Sequence, residues 1–494
     1  MKRLTAVLLA LCLLYGAAYA ETATGALRVI GGSDAVQAYQ AQYPGREVEE
    51  IRPEYDDYGN SNIRELLLGG DWDVACIYTD ACDLGALAGA GVLMDLSAVP
   101  AASGAVDGMY QSVRSAVTAD GRLLGVPSTL WGLVMQFSFP ATVGQRDTKV
   151  DLRAKLGFTD ADTPRTFADL CSLAQRYMAL PVETRRGTAF SADAVTGNVC
   201  EYFLDYLVTL YKAETCGAGD ALTFDTPAFR TALAELDAMV AALKTDPKVR
   251  YDENGWLCGV INDVSSAVFN EDALFLHIGE GSAIPAELGV TVINAASEHP
   301  DEALAYLAIS VENMSTEQML QLYENIDYDA LLLRSYDETI AAQIQQDEDQ
   351  SVIDDLIRRR DAGDTTYFYT REEIQSYAEA VAPNLIFPYV PRIYDYPAVT
   401  EYARGKLDAD GLIQKLRDPF AQGLRAVLHV AERRDGQVQG FALVLHVPEL
   451  RMAYLDYIAS SARLTSRGIG GALYQRVREE AVASGVRAIF FECL

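Results

Sequence analysis

Arg467-Gly-Ile-Gly-Gly-Ala-Leu473 is the segment whose residue types and spacing point most directly to chemistry. Glycines at 468, 470 and 471 let the chain turn tightly into a helix with its first amide hydrogens aimed outward, which is a cradle for pyrophosphate. Arg467 adds a positive charge at the same turn. Asp456 precedes the loop and Glu492 follows it, and each is a candidate general base whose role depends on geometry. Nearer the N-terminus, Trp131 lies in Ser128-Thr-Leu-Trp-Gly132, and Tyr78, Asp80 and Ser33 fall where loops are expected. Aromatic rings grip the apolar face of a small ligand while acid or hydroxyl groups fix its polar ones, so these residues are candidate ligand contacts, with Trp256 and Trp72 behind them. Each tryptophan also has the plain reading of a partly buried core residue.

The elements that would position these groups alternate between strand and helix. Ala26 to Ile30 reads as a strand, Gly31 to Asp34 as a turn and helix cap, and Ala35 to Tyr43 as a helix with Val36, Tyr39 and Tyr43 on one face. A strand at Glu47 to Ile51, a helix at Ser61 to Leu68 and a buried strand at Val74 to Tyr78 follow. That order begins a parallel, doubly wound α/β sheet, in which ligands sit beyond the carboxyl ends of the strands. Those ends carry Gly31 to Asp34 and Tyr78 to Asp80. Further along, Gln343 to Arg371 is charged, and the Val352 and Leu356 spacing marks an amphipathic helix with a solvated face.

Charge divides the chain. The 494 residues carry a formal charge of −30, yet the stretch from Asp418 to Leu494 has more arginines than acids and contains His429 and His446. The acidic excess therefore lies entirely before it and argues against nucleic acid or anionic lipid as a partner. Met1-Lys-Arg3, an apolar run from Leu4 to Tyr15 and Ala18-Tyr-Ala20 form the pattern of a secretory signal peptide over residues 1–20. The expected product is a soluble, exported monomer. Among the 8 cysteines no zinc-type spacing occurs, so no metal site is expected. Disulfides and buried free thiols both remain open, with Cys76 and Cys82 the close pair.

In its first four fifths the sequence resembles the extracellular solute-binding proteins of ABC importers, which have the two-lobed type II periplasmic-binding fold. The resemblance covers about residues 24–417. It rests on the first strand and helix, Gly91 to Ser97, Asp120 to Pro127, Thr163 to Leu170, Phe224 to Phe229 and Val290 to Leu304, in that order. Asp408 to Leu416 resembles the closing helix of that family. The resemblance implies two lobes that close on a small solute, a sugar or related polar compound, and deliver it to ABC permease subunits.

The remaining 75 or so residues are similar to the GNAT acyltransferases. Strands at Ala426 to Glu432 and Val438 to His446 flank Arg434-Asp-Gly-Gln437. A strand at Ala453 to Ile458 leads to the glycine loop, a helix runs to Ser484, and Arg487 to Cys493 supplies a last strand. The resemblance implies that Arg467, Gly468, Gly470 and Gly471 bind the pyrophosphate of acetyl-CoA; Thr465 departs from the family pattern. The closing helix and strands of that fold are not found after the last strand, so the segment reads as partial and inactive. The expected organisation is a signal peptide (1–20), a solute-binding domain (21–417) and a partial acetyltransferase-like domain (418–494). A working N-acetyltransferase and an exported scaffold are the alternatives.

Overall fold

The computed structural model describes residues 25–54, 62–131, 134–137, 140–142, 149–151, 153–186, 188–191, 199–219, 222–244, 255–261, 273–279, 283–346, 350–389, 395–417, 425–433, 437–447, 451–460, 468–483 and 486–491. They divide into two compact units, 1–393 and 394–494.

The first unit opens with β1 (Leu27–Ile30), α1 (Ser33–Gln42), β2 (Val48–Ile51), α2 (Ile63–Gly69) and β3 (Val74–Tyr78), in the order expected from the sequence. The helix cap differs from expectation: Gly32, at φ 98°, takes the N-cap position without a side-chain bond, and Ser33 already lies in the first turn. Val36 and Tyr39 are buried as their spacing requires, and β3 is apolar along almost its whole length because both faces are covered.

The chain runs on through β4 (Val126–Trp131) and then builds a second sheet. That sheet contains β5 (Val134–Phe137), β6 (Thr188–Ser191), β7 (Gly255–Ile261) and β8 (Ala273–Leu274) in the order β6-β7-β5-β8. Helices α3 (Phe167–Ala179), α4 (Val199–Gly217) and α5 (Pro227–Leu243) accompany it. β9 (Ile284–Pro285) then returns the chain to β10 (Glu287–Ile293), which inserts between β3 and β4 to complete a first sheet of order β2-β1-β3-β10-β4. β2, β1 and β3 are parallel as expected, whereas β10 is antiparallel to both of its neighbours. The reason is connectivity: the chain leaves the first sheet at the end of β4 and re-enters from the second sheet at that same edge, so its return strand must run backward. α6 (Pro300–Glu312) packs Tyr306 against Tyr39 of α1, and β11 (Leu385–Ile386) pairs in parallel with β9.

In the second unit α7 (Asp395–Ala403) and α8 (Ala409–Arg417) precede a four-stranded sheet. Its strands are β12 (Arg425–Glu432), β13 (Val438–Val447), β14 (Met452–Ser460) and β15 (Ala488–Phe490), in sequence order, with α9 (Ile469–Ala483) between the last two. Leu473 and Val477 of α9 pack on Ala442, Val444, Ala453 and Leu455, which is the face that their helical spacing predicts. On the other face Leu428, Val430 and Tyr457 stay exposed, and Phe441 stacks on Tyr457 at 5.5 Å.

Among the described residues no helix is long and apolar enough to cross a membrane. Cys76, Cys82, Cys171, Cys200 and Cys216 are free thiols, so the close pair Cys76 and Cys82 carries no disulfide.

Candidate functional site

Three strands of the first sheet bring Tyr78 and Trp131 together. Tyr78 ends β3, Trp131 ends β4, and β10 lies between them, pairing Gly289 with Tyr78 on one side and with Thr129 on the other. Trp131 is the last residue of its strand, and it faces Glu287 across the ladder. The rings of Tyr78 and Trp131 meet edge to face at 6.4 Å and 84°. Tyr78 is 38 % exposed.

Two polar atoms of this wall have no partner among the described residues. Trp131 Nε1 and Thr129 Oγ1 are both shut away from solvent without a hydrogen bond. Leaving such a group unmade costs about 1–3 kcal/mol, which a water or a ligand bonded at this strand end would recover. The loop beyond Tyr78 is held firmly. Thr79 N donates to the Leu288 carbonyl at 3.1 Å, and Leu288 N donates to Thr79 Oγ1 at 3.0 Å. Asp80 follows, half-buried and engaged within the protein. Burial, with the Asp80 carboxylate adding to it, pushes the Cys82 thiol up to about 12.

The other sequence candidates separate. Trp72 is a core residue, 2 % exposed, with its Nε1 donating to the Leu67 carbonyl at 2.9 Å. Trp256 lies on β7 opposite Ala189, and the side chains of Trp256 and Ser33 lie outside the described parts of the structure. Sequence reasoning missed Thr129 and Glu287. Thr129 stands two residues before Trp131 and so shares its face of the strand, which was a usable signal. Glu287 is reached only through strand pairing.

In the second unit the glycine loop leads from β14 into α9. β14 pairs with β15 only at Met452, Ala453 and Tyr454, so Leu455 to Ser460 have no partner on that side among the described residues. Against β13 the register jumps from Leu443↔Tyr457 to Val444↔Leu455, leaving Asp456 as the extra residue of a bulge. Bulges re-aim side chains and backbone beside sites, and Asp456 is exposed there. Gly468, at φ 79°, precedes α9, and a side chain at Gly468, Gly470 or Gly471 would meet nothing within 4 Å. The first-turn amides of α9 have no intrahelical acceptor, which is the general chemistry of an anion site. Arg467 and Glu492 lie outside the described residues. No group of three or more His, Cys, Asp or Glu that could hold a metal occurs among the described residues.

Comparison with solved structures places the larger part of the chain in the fold of two-lobed solute-binding proteins. A chitin oligosaccharide binding protein matches 80 % of this chain and 98 % of its own length, at 13 % identity and a TM-score of 0.50. A structure from work on xylan utilization by the thermophilic bacterium Caldanaerobius polysaccharolyticus matches 80 % of this chain and 100 % of its own, at 15 % identity and a TM-score of 0.47. An ABC substrate-binding protein from Listeria monocytogenes in complex with cycloalternan covers 80 % and 97 %, at 13 % identity and a TM-score of 0.44. Residues 397–494 match the model of the acetyltransferase (GNAT) family. That range begins inside α7, and α7 and α8 fall in the same compact unit as the four-stranded sheet. A search of curated proteins gave no match.

Proposed function

We propose that the larger module is an exported receptor that captures a small carbohydrate between its two lobes for an ABC importer, and that Tyr78, Thr129 and Trp131 form its wall on the first lobe. The observation that carries this reading is the pair of shut-in, unpartnered polar atoms beside an edge-to-face aromatic pair at the carboxyl ends of β3 and β4. A hydroxyl-bearing ring suits both halves of that wall. Its apolar face can lie on an aromatic ring, and each hydroxyl can accept from an indole N–H and exchange a hydrogen bond with a threonine. Glu287 and Asp80 would rim the wall with acceptors, in keeping with a neutral or cationic solute. The test is thermal melting of the full chain with chitin oligosaccharides, maltose, D-mannitol, amines and peptides. A true solute at a hundredfold excess over its Kd adds roughly 2.7 kcal/mol. If nothing in the panel raises the melting temperature of folded protein, the receptor reading fails.

The glycine loop supports a second, smaller role for the C-terminal unit: it holds the pyrophosphate of an acyl-CoA on the amides that open α9, with Gly470 and Gly471 leaving the room. When bound, acetyl-CoA would supply a thioester carbonyl open to attack by an amine. Binding is the role we assign, without acetyl transfer. Transfer asks for a base held against the amine in a site that excludes water, and Asp456 is solvent-exposed. Gly470→Glu places a carboxylate in the cradle and should abolish coenzyme A binding. Release of free coenzyme A with any amine acceptor, lost in Gly470→Glu, would overturn the inactive assignment.

A further inference from the structure

We infer that Gly289 and a bulge at Ser128 are the positioning elements that aim Thr129 and Trp131 at the solute, an inference that rests on the receptor reading above. The ladder between β10 and β4 runs Glu287↔Trp131, Leu288↔Leu130 and Gly289↔Thr129, and then skips to Val290↔Pro127. Ser128 is the residue left over. A bulge of this kind bends its strand and turns the following side chains away from the direction that regular pairing would give them. This one is tied to the strand beside it: Ser128 Oγ donates to the Gly289 carbonyl at 3.4 Å.

The partner of the bulge is a missing side chain. Tyr78, Gly289 and Thr129 form one row across β3, β10 and β4. A Cβ at position 289 would lie 2.1 Å from Thr129 Oγ1, 3.3 Å from Tyr78 Cε1 and 3.4 Å from Thr129 Cβ. The Tyr78 ring and the Thr129 hydroxyl thus fill the space that any other residue at 289 would claim. Successive side chains alternate across a strand, so Trp131 shares the face of Thr129 and meets the Tyr78 ring there. Glycine at 289 lets the three groups converge, and the bulge sets their direction.

The test is titration calorimetry on the full chain with chitin oligosaccharides, maltose and D-mannitol, for the wild type, Gly289→Ala, Thr129→Ala and the double variant. For a probe that the wild type binds, Gly289→Ala is expected to weaken binding by roughly tenfold or more. Adding Thr129→Ala removes the obstructing oxygen, so the double variant should bind as well as Thr129→Ala alone. Equal losses from Gly289→Ala with and without the Thr129 hydroxyl overturn the inference, as does unchanged affinity in Gly289→Ala. Should Gly289→Ala not fold alone, recovery of folding and binding in the double variant supports the inference. A double variant that folds without binding, or does not fold, where Thr129→Ala binds, overturns it. A folded wild type that binds none of the probes overturns the receptor reading itself, and this inference with it.

Discussion

Thr129→Val isolates one atom of the wall and predicts effects of opposite sign on the free and the bound protein. Valine keeps the β-branch that suits a strand and exchanges only the hydroxyl for a methyl. In the free protein Thr129 Oγ1 is buried without a partner. Desolvating such a group costs about 1–3 kcal/mol, so its removal should stabilise the unliganded chain by about 1 kcal/mol, equivalent to a rise of roughly 1–3 °C in Tm. In the bound protein the same hydroxyl is expected to bond the solute. Losing that bond should weaken affinity by about 1 kcal/mol, or roughly fivefold. Differential scanning calorimetry with and without a probe that the wild type binds reads both numbers on one sample. An ordinary structural threonine would lose stability in the free protein and leave the ligand-induced rise in Tm unchanged. A lower unliganded Tm for Thr129→Val, or an undiminished ligand-induced rise, refutes the reasoning.

Trp131→Ala should abolish most of the solute-induced rise in Tm. Trp72→Ala should leave the affinity of the folded fraction near that of the wild type while costing about 3–5 kcal/mol of stability, as large core truncations do; equal effects on affinity would refute the distinction. Burial raises the Cys76 thiol above its ordinary range and the Cys82 thiol to about 12, so both should resist alkylation at pH 8 in native protein and react once it is unfolded, as read by mass spectrometry. A thiol whose pKa is higher folded than unfolded favours the native state until the unfolded chain ionises. These groups therefore take stability away as pH rises from about 9 toward 12, and a melting temperature that climbs over that range would contradict the burial. A chain ending at Ile393, the end of the first compact unit, should stay folded and soluble; aggregation cured by restoring residues 394–417 would move the boundary to 417.

Local patterns carried much of this protein in its sequence. The apolar run Val74 to Tyr78 could only be a strand covered on both faces, and the spacing of Leu473, Val477 and Ala481 required one buried helical face, because side-chain direction repeats with a fixed period in each element. The glycine loop was legible for the same reason: amides at a helix start point outward whatever packs around them. Where two periods fit, the sequence was ambiguous. In the helix Gln350–Asp361 the buried pair is Ile353 and Leu356, an i, i+3 pair, while Val352 is 44 % exposed. Pairing between distant segments was decided only by the folded whole. Gly289 meets Thr129 across some 160 residues of sequence that build the second sheet, and nothing within either strand says that β10 must run between β3 and β4. The row Tyr78, Gly289 and Thr129 exists because the returning strand buries Leu288, Val290 and Val292 in the core. The bulge that points Trp131 follows from fitting that strand against β4, a choice made by the packing of the complete sheet rather than by any local preference.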